Sequence, residues 1–221
     1  MVFMKKNNSL RTWLKIMVHI GGVLPLLVIG VNALRGNLGF NPVQTILKHT
    51  GRSAVILLLL SLTCTPLHNM FVLPGVRRLR KPLGLYSALY ASIHFSVFAI
   101  WDYRLNFALI WSEISNKPFI LLGFGATVIL LLLAATSFRF WQRKLGVWWS
   151  RLHKLVYLAG ILMTLHYLLA IKGDLFSLQG GYRSPLIAAG TLVVLFILRI
   201  PFIYQPLRRF FRRETDASDH Y

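Results

Sequence analysis

The chain has 221 residues, 56% of them apolar, and its mean hydropathy is +0.60. Only 14% are charged, against about 25% in a soluble domain, which excludes a soluble fold and a disordered chain alike. Lys+Arg number 25 and Asp+Glu 6, a net charge of +19, but the basic residues stand in short clusters between apolar runs. That is the pattern of a multi-pass membrane protein rather than of a nucleic-acid binder.

A bilayer core of about 30 Å takes roughly 20 apolar residues as a helix. Taken in chain order, the apolar windows predict six spans at about 16–34, 53–73, 83–101, 118–138, 153–171 and 184–203, an all-α bundle in one domain over 1–221. The basic start at Lys5, Lys6, Arg11 and Lys15 leads into the first run with no small-residue cleavage site, so that run is expected to stay as a span. Pro66 falls near the exit of the second span, and Pro82 is expected to begin the third helix. Arg199, inside the sixth, is expected to snorkel to the headgroups. The tail 207–221 is basic and then polar, and is expected to be mobile.

Seventeen Lys and Arg fall in the N-terminal segment, the 77–81 cluster, the 139–154 segment and the tail, and seven fall in the opposite loops. The richer side is read as cytoplasmic, with both termini there. The six tryptophans lie at or near predicted span ends, where indoles prefer to sit. No internal repeat, dinucleotide fingerprint or phosphate-binding loop is apparent. One cysteine, Cys64, excludes an internal disulfide and a Cys-rich metal site, and is read with Met70 as a packing residue.

The predicted spans hold no Asp or Glu, which argues against a carboxylate-based pump, but they hold histidine. His94 and His166 each lie eleven residues beyond the basic-side start of their span, so both sit about 16 Å in, on parallel helices. Two imidazoles at one depth suit the axial positions of a non-covalent haem b. His153 lies thirteen residues before His166, a rise of about 19.5 Å, at the level of a second haem. An ideal helix would point those two rings about 140° apart, so two haems stacked on one face require a bend, a local bulge or an offset of the lower haem. On the third span the matching position is Arg80, expected just outside the regular helix behind Pro82. An arginine is a poor iron ligand but suits a propionate or a flavin phosphate. Arg77, Arg78, Arg80 and Lys81 are most simply a topology anchor, and alternatively a site for anionic lipid or a cofactor phosphate. His19 and His68 are read as packing residues near span ends, His49 and His220 as loop and tail residues.

These residues carry a resemblance. RRLRKPLGLYSALYASIH and QRKLGVWWSRLHKLVYLAGILMTLHY, with WLKIMVHIGGVLPLL and HTGRSAVILLLLSLTCTPL, are similar to the ferric-reductase-like transmembrane domain, and within it to the MsrQ branch of haem-binding membrane subunits. The resemblance implies one or two haems between the third and fifth spans. His94 and His166 would ligate the outer one and His153 the inner, with Arg80 where a partner histidine would stand and Arg77 and Arg78 beside it. It implies FMN as a further cofactor. The donor would be the quinone pool or a cytosolic reductase. The acceptor would be a periplasmic molybdenum-cofactor methionine sulfoxide reductase (MsrP-like), docked on loops 37–42, 102–117 and 172–183. Substrate reduction would occur on that partner, in the bacterial inner membrane. Other readings are a haem-containing quinol or metal reductase subunit with another acceptor, or a non-redox transport or anchor protein.

Overall fold

A computed structural model describes residues 2–71, 75–170, 183–200, 202 and 205–206, with side chains from Thr12 onward. Among the described residues there are helices and no strands. In chain order they are α1 (Val2–Leu34), α2 (Pro42–Phe71), α3 (Val76–Val97, continued by a π turn, Phe98–Asp102), α4 (Phe107–Asn116), α5 (Pro118–Ala135), α6 (Arg139–Leu145), α7 (Val147–Leu152), α8 (Leu155–Leu169) and α9 (Arg183–Ile197). Five stretches are long and apolar enough to cross a membrane: Thr12–Leu34, Pro42–Phe71, Val76–Asp102, Pro118–Ala135 and Val147–Leu169. The predicted sixth span corresponds to α9, whose described part is a shorter apolar helix. The tail 207–221, with His220, and loop residues 172–182 lie outside the described residues.

The core is built where small side chains let backbones approach, as membrane helices require in the absence of a hydrophobic drive between them. On α2, Ala54 and Ser61 face Ser87, Ala88 and Gly84 of α3; the Ser87 hydroxyl donates to the Ala54 carbonyl at 2.8 Å. Between α5 and α8 the buried Ala126 and Ala159 play the same part, and Gly160 admits Leu62 and Leu192. Outside this core, α1 from Thr12 onward is almost wholly exposed. Met17, Ile20, Leu24, Leu27 and Val31 turn outward, a surface that only lipid can solvate.

Prolines inside the helices set up cross-links. In α1, next to Pro25, the Tyr90 hydroxyl inserts into the helix ladder, donating to the Gly22 carbonyl at 2.8 Å and accepting from the Leu26 N–H at 3.1 Å. Tyr90 is fully buried, so Tyr90→Phe is expected to destabilise the protein by about 1–3 kcal/mol, read as a lower midpoint of thermal unfolding in detergent. In α2, Pro66 has no N–H to offer Leu62, and the Leu62 carbonyl instead accepts from the Arg199 guanidinium at 2.6 Å. Arg199 therefore does not snorkel outward as expected; a freed carbonyl and the Tyr157 ring, 4.6 Å from its Cζ, hold it inward.

Pro82 does not begin α3. The helix starts at Val76 behind Gly75, whose φ of 97° only glycine adopts readily, and Pro82 lies inside it. The carbonyl that Pro82 cannot serve belongs to the exposed Arg78, and Ser61 donates to the nearby Arg80 carbonyl at 2.9 Å. Arg80 is thus within the regular helix rather than outside it. His49, expected in a loop, is also helical, because α2 begins at Pro42 with Asn41 capping the Gln44 N–H at 3.0 Å.

The loop expected at 102–117 is largely α4. Asn106 caps it, and Ile110 and Ile114, one turn apart, pack under Phe98, Tyr103, Ile120 and Phe124. Glu113 pairs with Lys117 at 2.5 Å, and that cation, then the Tyr103 hydroxyl, holds its carboxyl below the usual range. Burial, reinforced by Glu113, pushes the Tyr103 phenol up to about 12. A depressed carboxylate contributes stability above its unfolded pKa and loses it as pH falls through the folded value. Amide exchange of α4 is accordingly expected to accelerate below the carboxylate range. Glu113→Gln should abolish that pH dependence.

Candidate functional site

α2, α3, α5 and α8 bring His94 and His166 together. Their ring centroids are 6.1 Å apart and the planes are nearly perpendicular, at 79°. Each ring is fixed in the same way. His94 Nδ1 donates to the Leu47 carbonyl at 3.0 Å, and His166 Nδ1 donates to the Phe119 carbonyl at 2.6 Å. A carbonyl only accepts, so the proton is on Nδ1 in both rings and the lone pair is on Nε2. This is the orientation that metal-ligating histidines take from their outer partners.

The approach of each ring depends on a glycine one turn beyond the accepting carbonyl. A Cβ on Gly51 would lie 3.1 Å from the His94 ring, and one on Gly123 would lie 2.7 Å from His166 Nδ1. In both cases the histidine is 47 residues beyond the carbonyl it binds. The helix pairs α2–α3 and α5–α8 therefore present a histidine by the same device. Phe119 stacks on His166, with centroids 6.1 Å apart, and the Thr50 hydroxyl lies 3.4 Å from His94 Nδ1.

Among the described residues no cluster of three or more His, Cys, Asp or Glu could hold a bare metal ion. Two imidazoles alone cannot complete a tetrahedral site, but they supply what a haem lacks, since the macrocycle brings four nitrogens of its own. A metal about 2 Å from each of two ring nitrogens places the centroids about 6 Å apart, in keeping with the observed separation. The pair fits a haem.

At the end of the bundle where α3 and α8 begin, the structure places the second group. The helix is interrupted at His153 and Lys154, between α7 and α8, one of the three departures that the spacing to His166 left open. Trp149 stacks on His153 with centroids 4.1 Å apart, while its indole N–H donates to the Thr136 carbonyl at the end of α5 at 2.9 Å. Both His153 ring nitrogens are buried without a hydrogen-bond partner among the described residues. The Arg80 charge bears on His153, and Arg80 lies fourteen residues, about four turns, before His94 on one continuous helix. Arg77 and Arg78 are exposed at the helix start and are not drawn into this group. Lys81 binds the Ser137 carbonyl at 2.7 Å and so anchors α3 to the end of α5.

The remaining sequence candidates have other occupations. His19 shares a 2.9 Å hydrogen bond with the Tyr86 hydroxyl, and Cys64 is buried with its thiol on the Leu60 carbonyl. Sequence reasoning missed Gly51, Gly123, Trp149 and the inward turn of Arg199. The equal spacing of carbonyl, glycine and histidine in the two hairpins was the available signal for the first two.

The model of the ferric reductase like transmembrane component family matches residues 50–164, running from the residue that touches His94 almost to His166. Members of that family usually bind haem and serve membrane electron transfer. The match covers more than half of the protein, and the chain belongs to the ferric reductase-like transmembrane family.

Proposed function

We propose that this protein is the haem b subunit that carries electrons across the bacterial inner membrane to a periplasmic molybdenum-cofactor methionine sulfoxide reductase, as in the MsrQ branch. The quinone pool or a cytosolic flavin reductase supplies them. The observation that carries this reading is the facing pair His94 and His166, each with Nδ1 held by a backbone carbonyl and Nε2 left as the donor atom.

The roles of the residues follow from their placement. A bound haem supplies one-electron chemistry at its iron. His94 and His166 would hold it through Nε2, and their carbonyl partners fix tautomer and ring orientation. The apolar wall of the bundle keeps water away and thereby tunes the potential. His153, held by Trp149 against the end of α5, would serve an inner haem, and Arg80, whose charge bears on it, would meet an acidic group of that cofactor. Arg77 and Arg78, exposed at the start of α3, are assigned to a cofactor propionate or to the phosphate of the FMN that the MsrQ resemblance implies. In this reading α9 completes six spans, both termini and the basic end face the cytoplasm, and α4 lies on the side of the acceptor.

The test is the visible spectrum of the detergent-purified protein, oxidised and dithionite-reduced, followed by mixing the reduced form with the periplasmic reductase and methionine sulfoxide. A b-type spectrum that reoxidises only when both are present is expected. A colourless, well-folded protein after haem addition would reject the reading. A coloured protein that the reductase cannot reoxidise would reject the partner.

A further inference from the structure

The inner end of the bundle holds more positive charge than any group among the described residues answers. Arg199 reaches in from the end of α9 with one nitrogen on the Leu62 carbonyl at 2.6 Å and its guanidinium over the Tyr157 ring. Its Nε and its other terminal nitrogen are buried with no hydrogen-bond partner among the described residues. Arg80 bears electrostatically on the same guanidinium, on His153 and on Cys64. Ser61 and Leu62, neighbours on α2, touch the backbone of Arg80 and the side chain of Arg199 respectively. Among the described residues the acids are Asp102 and Glu113, both at the opposite end of α3, so no carboxylate of the described protein neutralises the pair.

Burying one unpaired cation is costly, and placing a second beside it costs more. Arg199 was free to point to the headgroups, yet it is turned inward. Buried guanidinium nitrogens of Arg199 without a partner among the described residues, next to the turn of α3 that carries Arg80, are suited to an oxyanion, which accepts several charge-assisted hydrogen bonds at once.

We propose that Arg199 and Arg80 form a two-guanidinium clamp for an oxyanion, a carboxylate or a phosphate, beside His153. The proposal rests on the haem reading in one respect: it takes the acidic group of the inner cofactor as the first source of that oxyanion, with an inner-leaflet phospholipid as the other. It adds α9, which lies beyond the matched family segment, to the binding machinery.

The experiment uses the full chain in detergent as wild type, Arg199→Gln and Arg199→Lys, with haem titration resolved into components dependent on His153 and on His94/His166. Arg199→Gln is expected to weaken the His153-dependent component about tenfold. The other component should keep its spectrum, which reports that the fold survives. Arg199→Lys should fall between, since lysine keeps the charge but not the fork. In haem-free protein Arg199→Gln is expected to melt above the wild type, because an uncompensated cation has been removed. If the oxyanion comes from lipid, phosphatidylglycerol raises the wild-type melting temperature and not that of Arg199→Gln, with haem affinity equal in both.

Wild-type haem affinity in Arg199→Gln together with an unchanged response to phosphatidylglycerol overturns the clamp. A wild type without His153-dependent haem, but with Arg199-dependent stabilisation by phosphatidylglycerol, keeps the clamp and rejects the inner haem instead.

Discussion

Replacing either His94 or His166 with alanine is expected to abolish the reduced b-type spectrum of the outer haem, leaving at most a weakly bound, single-histidine remnant. The two rings are 6.1 Å apart and no third protein donor stands ready among the described residues, so neither can be replaced by a neighbour. His153→Ala is expected to leave this component untouched and to remove only what an inner haem contributes. Pyridine haemochrome stoichiometry and reduced-minus-oxidised difference spectra, taken at equal protein, check all three. Wild-type absorbance in both His94→Ala and His166→Ala would remove the pair from the mechanism. Loss of the whole spectrum in His153→Ala would mean that the two levels are not independent.

Gly123→Ala is expected to reproduce most of the His166→Ala defect without touching a ligand. Its methyl carbon would lie 2.7 Å from His166 Nδ1 and 2.9 Å from Cε1, closer than real contacts allow. The neighbour that must give is a ring pinned by its bond to the Phe119 carbonyl, so the alanine forces that bond to break or the helices to part. Loss of such an outer partner costs a metal site about 10–100-fold in affinity. Gly51→Ala meets His94 at 3.1 Å, where a shift of a few tenths of an ångström suffices, and its haem affinity is expected to fall by less. Haem titrations of the two apoproteins order the effects. Equal and wild-type affinities would show that the glycines serve helix packing alone.

The spans were legible because the bilayer imposes a length and a composition that can be counted along the chain. Helix ends were read less well. Pro42, Pro82 and Pro66 are local signals whose meaning depends on whether a neighbour answers the groups they leave unpaired. At Leu62 the neighbour is Arg199, 137 residues away, and nothing near Pro66 in the chain announces it. The same long-range exchange turned an expected headgroup anchor into a buried cation.

The depth match of His94 and His166 came from counting along two helices at 1.5 Å per residue, and so did the misfit between His153 and His166. Residue types and spacing were enough for both, because rise and turn are properties of a single helix. Which atoms of the imidazoles are held, and which remain as donors, was decided only by packing. A ring's tautomer is set by a carbonyl on another helix, and the access of that ring by a missing side chain one turn beyond the carbonyl. By itself the sequence determined an apolar, basic, acid-poor helical protein with histidines at one level. Only the tertiary structure decided that two of them face each other, that Trp149 stacks on a third, and that Arg199 turns inward onto the Leu62 carbonyl, because those facts depend on contacts between residues of different helices or of successive turns.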